Sequence, residues 1–179
     1  IRGNSIWDEG NLGHHSTTND FVNSRGIHVY AASNCVVSQN FVENKAYGII
    51  VQNAGTLVPH GTVVENNTVL KSDTEGVTLT VSMEAVPASA VVIRGNTVNR
   101  AGYYGLSLVR GQNIVVENNV VSDAGLTGDE GNRWGIAMVG CTNATVRFNT
   151  ISDTGPGIFD GGIKLDYADV FGRPSTNGI

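Results

Sequence analysis

A recurring asparagine is the feature that most constrains the fold of this sequence. An apolar residue, an asparagine three positions later and a branched apolar residue two positions after that occur together six times. The asparagines are Asn4, Asn40, Asn67, Asn96, Asn119 and Asn149. Their mean spacing is 29 residues, and a fixed period of this size is typical of solenoids and propellers.

A second unit alternates with the first. It consists of a glycine followed by an apolar residue, any residue and another apolar residue, and it begins at Gly26, Gly48, Gly76, Gly105, Gly135 and Gly162. The apolar spacing of two residues indicates strands, and strands this short bury one face only by stacking on the next repeat. The sequence therefore predicts an all-β solenoid of about six coils with parallel neighbouring strands.

The recurring asparagine has a structural interpretation. Asparagine tolerates the left-handed backbone conformation at corners, and its side-chain amide can bond the equivalent amide of the next coil. We therefore predict a buried asparagine ladder. Asn34, Asn113 and Asn143 form a second, partial series that marks tight corners.

Composition excludes several classes of protein. The net charge of −5 leaves no basic face for nucleic acid. No apolar run is long enough to span a membrane. Cys35 and Cys141 lie four coils apart, about 19 Å along the axis, which is too far for a disulfide.

Several segments carry a family resemblance. They are "VVSQNFV", "VVENNTV", "VIRGNTV" and "VVENNVV", with the partners "GIHV", "YGIIV", "YGLSLV" and "WGIAMV". These repeats resemble those of the pectate-lyase-like superfamily, which includes polysaccharide lyases, mannuronan epimerases, some glycosidases and tailspikes. The resemblance implies a right-handed, single-stranded parallel β-helix. It also implies a polysaccharide ligand.

The catalytic strings of the epimerases and the polygalacturonases do not occur in this sequence. We therefore expect a lyase or epimerase acting on a uronic-acid-containing glycan in a groove on the outer face, without a motif that fixes the reaction. Two alternatives stay open: a non-catalytic carbohydrate-binding or structural segment of a larger secreted protein, adhesin or tailspike, and a glycoside hydrolase.

The register of the glycine units selects the candidate site residues. His28 and Tyr30 share one outward face and form the first acid/base pair, and Lys164 and Asp166 occupy the same columns in the last coil. These four are the catalytic candidates. The substrate-binding candidates are Tyr47, Tyr103, Tyr104, Arg110, Arg133 and Trp134. Packing between adjacent turns is the competing interpretation of the aromatic residues.

Long insertions in the first coil and the last two coils predict a trough over the shorter middle coils. Adjacent His14 and His15 with Asp20 lack the usual metal-ligand spacing, so we assign no metal site. The acidic stretch from Asp123 through Asp129 to Glu130 is a candidate for Ca²⁺. Asp160 and Asp166 are the carboxylate pair that a glycosidase would need.

The repeats indicate a single domain over residues 1–179. A start in mid-strand and the lack of a recognisable cap predict a segment of a longer β-helix. We expect a secreted or cell-surface location, although the sequence carries no signal peptide. The sequence does not fix the oligomeric state.

Overall fold

A parallel β-solenoid is formed by the chain in a computed structural model. The structure describes residues 1–7, 24–82, 86–127, 132–152 and 160–166. Its strands are β1 (Ser5–Ile6), β2 (Arg25–Tyr30), β3 (Val36–Ser38), β4 (Phe41–Gln52), β5 (Val63–Glu65), β6 (Thr68–Thr80), β7 (Ala88–Ser89), β8 (Val92–Arg94), β9 (Thr97–Ala101), β10 (Tyr104–Val109), β11 (Gly111–Gln112), β12 (Val115–Glu117), β13 (Val120–Ala124), β14 (Trp134–Val139), β15 (Thr145–Arg147), β16 (Thr150–Ser152) and β17 (Gly161–Asp166).

The strands stack into three walls. The first wall is the five-stranded sheet of β3, β5, β8, β12 and β15. A ten-stranded sheet bends at a corner to make the other two. The second wall contains β1, the first halves of β4 and β6, β9, β13 and β16. The third wall contains β2, the second halves of β4 and β6, β10, β14 and β17.

All pairings between these named strands are parallel, as the repeat predicts. The five strands of the first wall span four full turns, with part of a turn at either end. This number is slightly smaller than the six coils expected, because the first and last coils are only partly within the described residues. None of the described residues forms a helix, so none of them provides a helix that could cross a membrane.

The core lies between the walls and consists of stacked branched apolar side chains. Val37, Val64, Ile93 and Val116 stack along the first wall and are fully buried. The glycine that begins the unit is required by this packing in the first five repeats. A Cβ at Gly76 would lie 2.3 Å from Val98 Cγ1 and 2.6 Å from the Gly105 carbonyl oxygen.

The predicted asparagine ladder is confirmed. The Asn40 amide donates to Asn67 Oδ1, Asn67 to Asn96, Asn96 to Asn119 and Asn119 to Asn149, all at 2.9–3.0 Å. The first four of these side chains are buried. The left-handed conformation, however, belongs to the preceding residue, for example Asn66 with a φ of 54° and Asn118 with a φ of 56°. Our assignment of that conformation to the ladder asparagines was wrong.

Two further expectations hold. Asn34, Asn113 and Asn143 do adopt the left-handed conformation at their corners, and Asn143 donates to Asn113. Both cysteines are free.

The outer face of the first wall carries alternating charges in ion pairs between coils. Arg94 contacts Glu65 at 2.7 Å, and Arg147 contacts Glu117 at 2.7 Å. This arrangement supports the interpretation of the face as structural.

Candidate functional site

The outward column of the third wall has the predicted register but is less exposed than expected. His28, Ile50, Thr78, Ser107, Ala137 and Lys164 are consecutive partners in this column. The four central side chains are at most 4% exposed. They are short, and longer side chains flank them in the neighbouring columns, so the column forms the floor of a groove.

One rim of this floor follows the residue before each glycine. It contains, in order along the stack, Arg25, Tyr47, Glu75, Tyr104, Trp134 and Gly161. The opposite rim includes Gln52, Thr80 and Val109. A cleft of about 290 Å³, which we call the third-wall groove, lies between the two rims. It is lined by Arg25, Tyr47 and Glu75 of the first rim, by Gln52, Thr80 and Val109 of the second, and by Ile50, Thr78 and Ser107 of the floor.

Glu75 is the acidic group of the third-wall groove. Burial raises the pKa of its carboxyl above the ordinary value, and hydrogen bonds from Thr78 and Ser107 partly oppose that shift. Tyr47 lies beside it in the next coil. A carboxyl whose pKa is raised by burial in a cleft is a candidate for proton transfer.

Tyr104 lies on the other side of Glu75. Burial, followed by the nearby negative charge of Glu75, raises the pKa of its phenol. Its hydroxyl donates to Asn132 Oδ1 at 2.7 Å. Tyr104 therefore has a fixed orientation and stays protonated at neutral pH.

Arg25 supplies a positive charge at the end of the same rim. It is exposed and pairs in register with Tyr47. Within the part of the chain that the structure describes, its guanidinium has no hydrogen-bond or ion-pair partner. An arginine in this state is well suited to bind a carboxylate or a sulfate of a ligand.

His28 and Tyr30 do share the outward face of β2. Their ring centroids are 5.2 Å apart, and His28 Nε2 lies 3.0 Å from Gln52 Oε1. Burial is the main cause that lowers the pKa of His28, with a smaller contribution from the charge of Arg25. The pair thus lies beside one end of the third-wall groove.

Lys164 and Asp166 form a separate pair at the opposite end of the wall. Lys164 Nζ is 3.5 Å from Asp166 Oδ2. Five strand-to-strand steps separate Lys164 from His28, about 24 Å at the usual spacing. The four catalytic candidates therefore do not converge on one site.

The aromatic candidates are half-buried and lie in three different environments. Tyr47 and Tyr104 flank Glu75 in the rim column, and Tyr47 lines the third-wall groove. The ring of Trp134 lies over Gly161, where an added Cβ would be 2.4 Å from Trp134 Cζ3. This contact favours packing between turns for Trp134. Tyr103 is anchored through its backbone amide, which donates to the Thr74 carbonyl at 2.7 Å.

The two arginine candidates are engaged elsewhere. Arg110 is only 2% exposed and donates to the Ser82 carbonyl. Arg133 pairs with Asp160 at 3.0 Å, and its backbone amide donates to the same carboxylate. The carboxylate of Asp160, one of the two that a glycosidase would need, is therefore engaged in an ion pair with Arg133.

Several sequence-based candidates cannot be placed. His14, His15, Asp20, Asp129 and Glu130 lie outside the described residues, as do most of the insertions expected to border a trough. Asp123, the first residue of the candidate Ca²⁺ stretch, accepts a hydrogen bond from Asn99 at 3.1 Å. Among residues that the structure describes, no three His, Cys, Asp or Glu side chains cluster as a metal site.

Sequence reasoning did not select Glu75 or Arg25 as site residues. Both lie in the rim column that was considered for its aromatic residues alone. A single carboxylate between two tyrosines of one column was the available signal. The raised pKa of Glu75 depends on the burial of its carboxyl, and the sequence pattern does not show how deeply that carboxyl is buried.

A comparison with known proteins assigns the chain to a family. No curated protein and no solved structure matches the chain. The family model described as "NosD: Periplasmic copper-binding protein" matches residues 1–164. This match agrees with the parallel β-helix but does not single out the pectate-lyase-like superfamily. Because the match covers most of the 179 residues, the chain belongs to the NosD family of periplasmic copper-binding proteins.

Proposed function

We propose that the third-wall groove binds a polysaccharide and acts on it as a lyase or epimerase at a uronic acid unit. The observation that carries this proposal is the half-buried Glu75, whose pKa is raised by burial and which lies between two tyrosines on a groove rim. Flat aromatic rings beside hydroxyl-bearing residues suit sugar rings, which have apolar C–H faces and polar edges.

The two reactions share their first step. Arg25 pairs with the uronate carboxylate and stabilises the negative charge that develops there. The ionised Glu75 carboxyl takes the C5 proton of the sugar, and the electron pair of that C–H bond moves toward the carboxylate. This assignment requires a base whose pKa lies closer to neutral than that of an exposed glutamate.

The second step separates the two reactions. In a lyase, the C4–O bond breaks, a double bond forms between C4 and C5, and the leaving oxygen takes a proton from a tyrosine. In an epimerase, a tyrosine returns a proton to the opposite face of C5. Tyr47 is our candidate for this donor, because it is adjacent to Glu75 and its hydroxyl has no hydrogen-bond partner among the described residues.

Copper, which the family description names, does not fit the described residues. Copper sites use thiolate, thioether or imidazole ligands. Burial raises the pKa of the Cys141 thiol, which disfavours the thiolate, and His28 is already bonded to Gln52. No described cluster offers three ligands. The periplasmic assignment of the family is consistent with the cell-envelope location expected from the sequence.

The test is incubation of the purified chain with alginate, pectate, and sulfated and neutral glycans. The ultraviolet absorbance of unsaturated products reports elimination, and product analysis by NMR reports epimerisation. We expect turnover on a uronate polymer that is lost in Glu75→Gln. Glu117→Gln is the matched control, because Glu117 lies on the first wall in an ion pair with Arg147.

Other outcomes distinguish the alternatives. Binding without a product, lost in the double variant Tyr47→Ala and Tyr104→Ala, would identify a non-catalytic carbohydrate-binding segment. Hydrolysis products without a double bond would identify a glycoside hydrolase. Turnover that persists in Glu75→Gln would exclude Glu75 as the base.

A further inference from the structure

A second cleft lies at the corner between the second and third walls. It has a volume of about 210 Å³ and is lined by Lys71, Ser72, Asp73, Arg100, Leu126 and Thr127, together with Gly102. It is separate from the third-wall groove, with which it shares no lining residue. We call it the corner cleft.

Two cations come from adjacent coils at this corner. Their neighbours pair in register, Leu70 with Asn99 and Ser72 with Ala101, so the backbones of Lys71 and Arg100 are about 4.8 Å apart. Like charges this close repel each other unless an anion compensates them. Both residues have a left-handed backbone, with φ values of 52° and 63°. That conformation is unusual for long side chains.

The two cations differ in their partners. Lys71 Nζ lies 2.7 Å from Glu43 Oε1 in the preceding coil. Arg100 is exposed, and among the residues that the structure describes its guanidinium has neither a hydrogen-bond partner nor an ion-pair partner. Asp123 occupies the equivalent position in the next coil and accepts a hydrogen bond from Asn99. The positive charge of Arg100 is therefore available to a ligand.

The remaining lining of the corner cleft combines polar, acidic and apolar groups. The Ser72 hydroxyl is buried at its base and has no hydrogen-bond partner among the described residues, and such groups are normally satisfied by water or ligand. Backbone hydrogen bonds to Ala101 and Gly102 hold Leu126 and Thr127 over the cleft. Asp73 adds a carboxylate to the wall, so an anion has to lie on the Arg100 side.

We propose that the corner cleft binds the carboxylate or sulfate group of a small anionic ligand through Arg100, with Lys71 on its rim. An apolar part of the ligand packs against Leu126. This site does not depend on the proposed reaction, because it lies on a different part of the solenoid and uses no residue of the third-wall groove.

Calorimetric titration with inorganic sulfate, glucuronate and neutral glucose tests the proposal, with the ionic strength held constant with NaCl. Sulfate reports binding of a free inorganic anion, and glucuronate reports binding of a carboxylated sugar. We expect at least one anion to bind and glucose not to bind. Arg100→Gln should weaken the affinity for the anion by roughly tenfold or more, because a charge-assisted hydrogen bond is lost.

Two control variants keep the interpretation specific. Arg94→Gln removes the same charge from the first wall, where Arg94 is paired with Glu65, and should leave the affinity within about twofold of wild type. The loss caused by Arg100→Gln should persist in an Arg25→Gln background, which lacks the anion-binding charge of the third-wall groove and therefore separates the two sites. Equal affinities of Arg100→Gln and Arg94→Gln, binding of glucose as tight as that of glucuronate, or no response to either anion would overturn the proposal.

Discussion

The side-chain amide of Asn67 donates a hydrogen bond to the side-chain oxygen of Asn96 at 2.9 Å, and both side chains are buried. The same Asn96 oxygen accepts the backbone N–H of Asn67 at 3.0 Å. One side chain thus satisfies two donors of the coil before it. Because this relationship repeats from coil to coil, the ladder connects the corners of the solenoid along its whole described length.

Asn96→Ala should therefore destabilise the protein strongly. It leaves both donors of Asn67 unsatisfied and removes the donor to the Val64 carbonyl, for a loss of about 3 kcal/mol in the free energy of unfolding. Chemical denaturation measures this loss. Asn66→Gly is the control, because Asn66 is exposed and has a φ of 54°, which glycine adopts without strain. A similar loss in both variants would contradict the role of the ladder.

Gly76→Ala should also destabilise the protein, by about 3 kcal/mol, because the new methyl group would overlap Val98 and the Gly105 carbonyl. Gly162 occupies the same place in the last described repeat, yet among the described residues a Cβ there would meet only Ile151, at 3.9 Å. Gly162→Ala should therefore be tolerated. Thermal unfolding of the two variants makes the comparison, and equal melting temperatures would show that the clash is relieved by movement.

Glu75 should make the stability depend on pH. In the unfolded chain its carboxyl ionises near its ordinary pKa of 4.5, whereas in the folded protein burial raises the pKa. Between the two values the native state binds the additional proton, so the stability falls as the pH rises through this window and is then constant. Above the folded pKa, Glu75→Gln should be more stable relative to wild type than it is at acidic pH. Denaturant titrations of both proteins across this range provide the test, and a difference that is independent of pH would contradict it.

The charge ladder on the first wall should contribute little. The Arg94 side chain is 50% exposed, and its pair with Glu65 is accessible to solvent and salt. Arg94→Gln should cost about 0.5 kcal/mol at low salt and less as salt is added. Unfolding measured at two ionic strengths checks this expectation. A large cost that does not depend on salt would indicate a buried role for the pair.

The parts of the fold that could be predicted all depend on the repeat. The ladder partners, the parallel register and the alternating charges of Glu65 and Arg94 follow from spacing alone, since equivalent positions of consecutive coils lie next to each other. The repeat pattern did not predict which residue of each corner adopts the left-handed conformation, because that depends on how the backbone turns at the corner. The left-handed residue at each ladder corner is one position earlier than expected, at Asn66 and Asn118.

The candidate site was much less accessible to sequence reasoning. His28 and Tyr30 are adjacent as predicted, but Lys164 and Asp166 lie at the far end of the wall because consecutive coils are displaced along the axis. Arg110 carries the charge expected of a substrate-binding residue, yet its guanidinium is buried against the Ser82 carbonyl. Residue type alone does not show whether a cation faces solvent or a backbone carbonyl.

The sequence by itself determined the architecture, because one period of apolar and asparagine residues places every coil on the previous one. The tertiary structure alone decided which polar groups face an accessible cleft. Glu75 becomes an acid with a raised pKa because short floor residues and long rim residues together exclude water from its carboxyl. Arg100 stays available because its neighbours across the corner bond to other groups. Both properties arise from desolvation and partner choice between coils, and these are set by three-dimensional contacts rather than by spacing along the chain.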